Sequence, residues 1–108
     1  MALMTVQSIP NTGLAITFAA ANSTDTFPVG ANNVLAVYNG SGSTITATIS
    51  TYGTDEFGNA YGTLVVSITT LKHAFIRLAN SKFANPSGGL GTVTYSSVTT
   101  VTSALLGV

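Results

Sequence analysis

The sequence contains very little charge. It has three acidic and three basic side chains and one histidine in 108 residues, and its formal net charge is zero. Soluble domains commonly devote about a quarter of their residues to charged side chains. Nucleic-acid binding needs clustered lysines and arginines, and most enzyme chemistry needs several titratable groups close together. The composition therefore argues against both classes, and zero net charge favours association with other protein.

Cysteine is absent, which excludes a disulfide framework, a thiolate zinc site and a cysteine nucleophile. No apolar run approaches the ~18 residues that a membrane helix requires. A secretory signal begins with basic residues, and here no lysine or arginine precedes Lys72. We therefore expect a chain that stays in the cytoplasm until it assembles, with no membrane contact and no cofactor.

The sequence is rich in threonine, valine and isoleucine, which favour β-strands. Apolar residues recur at every second position, the period of a strand with one buried face. The clearest case is Ile45–Ile49, where Ile45, Ala47 and Ile49 alternate with threonines. The other predicted strands with this alternation cover residues 14–18, 64–68, 74–78, 92–95 and 101–105.

The predicted strand at residues 34–38 is apolar on both faces, as in a strand that is covered on both sides. One face of this strand would pack on the core, and the other would be covered either by a neighbouring subunit or by loops of the same chain. Residues 39–43, Asn-Gly-Ser-Gly-Ser, predict an Asn-Gly hairpin to the next strand. With further turn signals at residues 10–13, 28–33 and 85–89, we expect one all-β domain over residues 1–108. It would be a β-sandwich or jelly-roll-like barrel of about seven or eight short antiparallel strands.

The order of several short motifs resembles a group of small virion proteins of tailed bacteriophages. Those proteins share a Gly-led strand ending in an alanine-rich step, then Asp-Thr-Phe-Pro, a strand ending in Asn-Gly, a Thr/Val hairpin, a late Arg-Phe-Asn-like step and a closing Val-Thr-Tyr-Ser strand. The corresponding segments here are 13–21 (GLAITFAAA), 25–28 (DTFP), 34–40 (VLAVYNG), 44–49 (TITATI), 82–85 (KFAN) and 93–96 (VTYS).

This resemblance implies a β-sandwich capsid decoration (cement) protein without enzymatic activity. Such a protein would bind the major capsid protein on the exterior of the assembled virion after synthesis in the host bacterial cytoplasm. It would also bind other copies of itself, as a homotrimer at three-fold positions. A neck, tail or fibre-base subunit and a carbohydrate- or host-surface-binding module are the alternatives.

Two polar features are candidate chemical sites, the single histidine and the acidic loop at residues 55–59. His73 is the one imidazole, and a catalytic triad would need an acid to orient it, whereas the acids lie in two distant segments around Asp25 and Asp55; we expect a surface or contact residue. The loop from Asp55 to Asn59 could supply oxygen ligands to a hard cation, but its spacing matches no calcium loop, and we expect a solvated turn. The segment 25–28 is interpreted as a turn in which Phe27 plugs the end of the domain.

The interaction hypothesis depends on the chain ends and the aromatic residues. Free termini are usually polar and frayed, whereas residues 1–9 and 103–108 are apolar here and are predicted to be arms that contact a neighbour. Tyrosine and phenylalanine are enriched at interfaces and in sugar-binding surfaces. The predicted contact residues are Leu3, Met4, Tyr38, Tyr52, Phe57, Tyr61, Leu105 and Leu106.

Overall fold

Ten β-strands form the framework of the computed structural model, which describes residues 2–30, 32–78, 81–86 and 88–107. Within these residues there is no α-helix, and one 3-10 turn covers Ser81–Phe83. The strands are β1 (Ala2–Leu3), β2 (Val6–Ser8), β3 (Ala19–Ala20), β4 (Thr24–Pro28), β5 (Asn33–Asn39), β6 (Ile45–Ile49), β7 (Leu64–Ile68), β8 (Lys72–Arg77), β9 (Leu90–Tyr95) and β10 (Val101–Gly107).

The strands form two sheets. Sheet 1 has the order β1-β4-β9-β6-β7, and sheet 2 has the order β2-β10-β5-β8, with β3 added to the side of β10. The alternating residues of both sheets point towards each other and build one apolar core. Its fully buried side chains include Phe27, Ile49 and Val93 from sheet 1 and Leu35 and Leu105 from sheet 2. The all-β prediction is confirmed as two packed sheets.

The strand count and the pairing differ from the prediction. The chain has more than seven or eight strands, because the N-terminal segment contributes three pieces of two or three residues. Two pairs are also parallel: β1 runs parallel to β4, and β2 runs parallel to β10. The N-terminal segment thus passes from the edge of sheet 1 to the edge of sheet 2. Pieces this short have no measurable apolar period, so the sequence did not predict them.

The C-terminal arm prediction is wrong for residues 103–107. They belong to β10, which lies inside sheet 2 between β2 and β5 and pairs with β5 along its whole length, from Val101↔Asn39 to Gly107↔Asn33. An apolar chain end and an apolar central strand have the same composition, so the pattern could not distinguish them. Val108, like Met1 of the N-terminal arm, lies outside the described residues.

Residues 14–18 do not form the predicted strand. This segment lies across the outer face of sheet 2, where Leu14 and Phe18 pack on a second apolar cluster of Ala36, Ala104 and Leu106. The second face of β5 is therefore covered by the protein's own chain, one of the two alternatives left open by the sequence. An extended covering segment with one apolar side needs the same alternation as a strand.

The predicted Asn-Gly hairpin at residues 39–43 is also wrong. β5 belongs to sheet 2 and β6 to sheet 1, so this connection crosses between the sheets. A two-residue hairpin turn of the favoured type needs positive φ at both central residues, and Gly40 does not have it. Instead the Asn39 amide nitrogen donates to the carbonyl oxygens of Ser43 (2.8 Å) and Ile68 (2.9 Å). The buried Asn39 side chain thus links β5 in sheet 2 to the end of β7 in sheet 1.

Candidate functional site

The predicted contact residues at the chain ends divide between surface and core. Leu3, in β1, is 62% exposed at the edge of sheet 1, while the neighbouring Met4 is half-buried and packs against the core. Leu105 and Leu106 are 1% and 4% exposed. Of these four side chains, Leu3 is the one that a partner can contact fully.

The predicted aromatic residues do not form one continuous surface. Tyr52 and Tyr61 lie in the loop between β6 and β7; the Tyr52 hydroxyl is 3.2 Å from that of Thr92, and the Lys82 ammonium lies 4.9 Å from the centre of the Tyr61 ring. Tyr38 belongs to β5 in the other sheet. A sugar-binding platform built from all the tyrosines is therefore not formed.

The loop that follows Tyr52 ends in a tight turn around Asp55. One Asp55 carboxylate oxygen accepts the backbone N–H groups of Phe57 and Asn59, both at 2.9 Å. The Asp55 N–H donates to the Asn59 carbonyl at 2.8 Å, and Gly58 adopts φ +83°. This geometry holds the backbone of Phe57 in place while its ring is 81% exposed.

These hydrogen bonds limit the oxygen atoms of residues 55–59 that could bind a cation. One Asp55 oxygen is committed to two amide donors. Within the described ranges, no three His, Asp or Glu side chains are grouped so that they could hold a metal ion. The structure presents residues 55–59 as a self-bonded turn.

His73 lies among aromatic rings on the outer face of sheet 2. Its ring centre is 4.5 Å from that of Tyr38, 5.9 Å from that of Phe18 and 6.5 Å from that of Phe75, with which it is nearly parallel at 14°. Phe75 is 61% exposed, and His73 is also exposed. The histidine is packed against rings on β5, on its own strand and on the covering segment.

Phe18 and Phe75 were not predicted as surface residues, although the strand alternation around Phe75 indicates its exposure. His73, Phe75 and Arg77 alternate with Ala74 and Ile76 in the segment that forms β8, so they share its outward face. Because β8 is the last strand of sheet 2, no further strand flanks that row. Phe18 could not be assigned, since its partner residues are far away in sequence.

Asp25 is buried in β4 and does not begin a turn, so the turn interpretation of residues 25–28 is wrong. Its carboxylate accepts hydrogen bonds from Asn22, one from the side-chain amide at 3.0 Å and one from the backbone N–H at 3.3 Å. Burial, together with the negative charge of Asp25, raises the pKa of Tyr95 to about 12, and the hydroxyl of Ser103 offsets a smaller part of that shift. Among the described residues, the buried Tyr95 hydroxyl forms no hydrogen bond of normal geometry.

A cavity of about 310 Å³ lies beneath the N-terminal edge of the two sheets. Leu3, Met4 and Leu105 give it apolar walls, and Asp25 and Ser103 contribute polar groups. The N-terminal strands β1 and β2 thus form part of the wall of a cleft.

Comparisons with protein-family models, with curated proteins and with solved structures give no match. Among the described residues, no helix has the length and apolar character to cross a membrane.

Proposed function

We propose that this protein is a non-enzymatic structural protein of a tailed bacteriophage, of the β-sandwich decoration type, that binds the outer surface of the assembled capsid and stabilises it. Its partners would be the major capsid protein and other copies of this chain, in a trimer at three-fold positions. The motif order described above supports this proposal, as does an all-β domain of two packed sheets.

The observation that carries the proposal is the low charge of the exposed surface. Asp25 is buried, so five charged side chains remain for an accessible surface of 6021 Å². Large apolar side chains are exposed on several sides of the molecule. They are Leu3, Ile9, Ile16, Phe57, Leu64, Val65, Leu71, Phe75 and Val98.

Such a surface suits attachment by burial of apolar area. Each apolar Å² removed from water contributes about 25 cal/mol before the cost of association is subtracted. On a capsid lattice the same modest contact is repeated many times, so the particle gains stability without a strong single site. The domain extends 43 × 35 × 20 Å, which gives it a broad face relative to its thickness.

Washing gradient-purified particles at increasing NaCl concentration tests this mode of attachment. Ionic contacts between exposed groups weaken as salt is raised, whereas apolar burial does not. We expect the protein to remain with the particles through moderate NaCl and to leave them in mild denaturant. Release by moderate NaCl alone would contradict attachment through apolar surface.

A further inference from the structure

The turn at residues 55–59 has the form of a rigid projection. Phe57, at 81%, has the largest exposed fraction among the exposed large apolar side chains of the described residues. Its backbone is fixed by the Asp55 carboxylate and by the Asp55–Asn59 backbone bond. The exposed Glu56 precedes it, so the apolar ring is presented beside negative charge. A ring held in this way loses little backbone freedom when it docks.

A surface of complementary character lies on the outer face of sheet 2. We call it the aromatic-basic patch; it consists of Phe18, Tyr38, His73, Phe75 and Arg77. The three aromatic rings surround the exposed His73, and Phe75 is 61% exposed. Arg77, one of the three basic side chains of the protein, is exposed at the end of the same strand and shares its outward face.

The projection and the centre of the patch lie towards opposite ends of the domain. β6 and β7 pair antiparallel, with Ile49 opposite Leu64 at the end where the loop of Phe57 leaves the sheet. At the other end of these strands Ile45 is opposite Ile68, and the chain turns from there into Lys72 and His73. Five strand residues span roughly 17 Å. Within one chain the Phe57 ring is 81% exposed, so the projection does not dock on the patch of its own chain.

We propose that the projection of one copy docks on the aromatic-basic patch of a second copy. Phe57 would pack on the exposed rings of His73 and Phe75, and Glu56 would face Arg77 of β8. Within the described part of the chain, Glu56 and Arg77 have no ion-pair partner, so their charges are available for this contact. The projection carries an acidic and an aromatic side chain, and the patch carries basic and aromatic ones. This complementarity favours a second copy of the chain as the molecule that binds the patch.

This contact is head-to-tail, since it joins different surfaces of the two copies. Head-to-tail contacts form closed rings when the rotation closes and filaments when it does not. Closure after three copies would give the trimer named under the proposed function. The contact itself does not depend on that function, because it concerns the isolated protein.

Sedimentation velocity of the purified full-length protein over a range of concentrations tests the proposal. We expect the wild type to self-associate, and Phe57→Ala and Phe75→Thr each to weaken association on the order of thirtyfold, the effect of one interface hot spot. Threonine keeps the strand propensity of β8. Ile9→Ala, at an exposed apolar side chain outside both surfaces, is the control and should not change association.

Mixing the two variants provides the sharper test. Phe57→Ala retains an intact patch and Phe75→Thr an intact projection, so an equimolar mixture should form a 1:1 heterodimer although neither variant associates alone. Glu56→Lys should weaken wild-type association at low salt, and this difference should shrink as salt screens the charges.

Several results would overturn the proposal. A wild-type protein that is monomeric at all concentrations would do so, as would a mixture that stays monomeric. If Val65→Lys abolishes association while Phe57→Ala does not, the copies pair through the edge strand β7 instead. If Phe75→Thr leaves association unchanged but removes binding on a glycan array, the patch is a sugar site. Because all of these measurements use the isolated protein, they do not depend on whether it coats a capsid.

Discussion

The ring of Phe27 occupies the space that a side chain at Gly91 would need. The two residues are direct neighbours across the β4–β9 pair, and a Cβ atom built on Gly91 would lie 2.2 Å from the Phe27 ring. Phe27 is fully buried. Because Gly91 has no side chain, the Phe27 ring can fill the adjacent space, and Phe27 is part of the core packing.

Gly91→Ala is therefore expected to destabilise the fold by about 1–3 kcal/mol, the usual range for an overpacked core. Urea unfolding followed by circular dichroism would measure the loss. Gly42→Ala is the matched control, because a Cβ atom there meets nothing within 4 Å and the residue does not have positive φ. Equal stability of the two variants would contradict the packing of Phe27 on Gly91.

Asn39→Ala should cost about 2–3 kcal/mol. The Asn39 amide nitrogen donates to the Ile68 carbonyl at a buried position, and its oxygen accepts from the Ser41 N–H at 3.0 Å. Alanine would leave the buried carbonyl without this donor, and unsatisfied buried groups cost about 1–3 kcal/mol each. Asn39→Asp should cost at least as much, since it replaces the donor with a second acceptor. Asn59→Ala, at an exposed position, is the control in the same urea experiment.

Tyr95 should give the folded protein a pH dependence at high pH. Its folded-state pKa is about 12, against a value of about 10 in the unfolded chain. Between these pH values the unfolded chain releases the tyrosine proton while the folded protein retains it. The free energy of unfolding is therefore unaffected by Tyr95 below about pH 10 and falls as the pH rises towards 12. The loss should amount to about 2–3 kcal/mol.

Tyr95→Phe should remove that loss of stability above pH 10. At neutral pH the variant should be as stable as the wild type or slightly more so, because the buried hydroxyl makes no hydrogen bond of normal geometry among the described residues and burying a poorly bonded hydroxyl is costly. Unfolding curves of both proteins at neutral and alkaline pH test this. An unchanged pH dependence in the variant would show that another group is responsible.

Gln7 should hold the covering segment in place. Its amide nitrogen donates to the Thr17 carbonyl at 2.8 Å and its oxygen accepts the Thr17 N–H at 3.0 Å. Gln7→Ala should speed hydrogen exchange at residues 14–18 several-fold while lowering global stability by no more than about 1 kcal/mol. Gln7→Glu retains an acceptor for the Thr17 N–H, so its exchange rate at residues 14–18 should lie between those of the wild type and Gln7→Ala. Exchange in this segment that is the same in all three proteins would mean that packing of Leu14 and Phe18 holds the segment without Gln7.

Most of the strands that the sequence predicted correctly show apolar alternation between turn signals. Ile45–Ile49 and Leu64–Ile68 have the predicted bounds, because one face of each sheet must be apolar for the core to form. The strand predicted at 14–18 was wrong, since a covering segment on an apolar sheet face has the same local pattern. The crossing at Asn39 and the parallel edges depend on contacts distant in sequence, which local patterns do not encode.

The surface residues were predicted less well than the strands. Leu3 and Phe57 are exposed as an interaction role requires, because both lie at an edge or a turn where little can cover them. Leu105 and Leu106 looked the same by composition, but Leu105 is buried in the core between the sheets, and Leu106 is buried in the second cluster beneath Leu14 and Phe18. The rings around His73 come together from β5, β8 and the covering segment, and only the folded chain brings them together.

The central claim is that this protein is a component of the capsid shell. Quantitative mass spectrometry of gradient-purified virions, giving its copy number relative to the major capsid protein, tests that claim most directly. We predict a ratio near one or a simple fraction of one. About a dozen copies per particle would place the protein in the neck or tail, and its absence from virions would contradict a structural role.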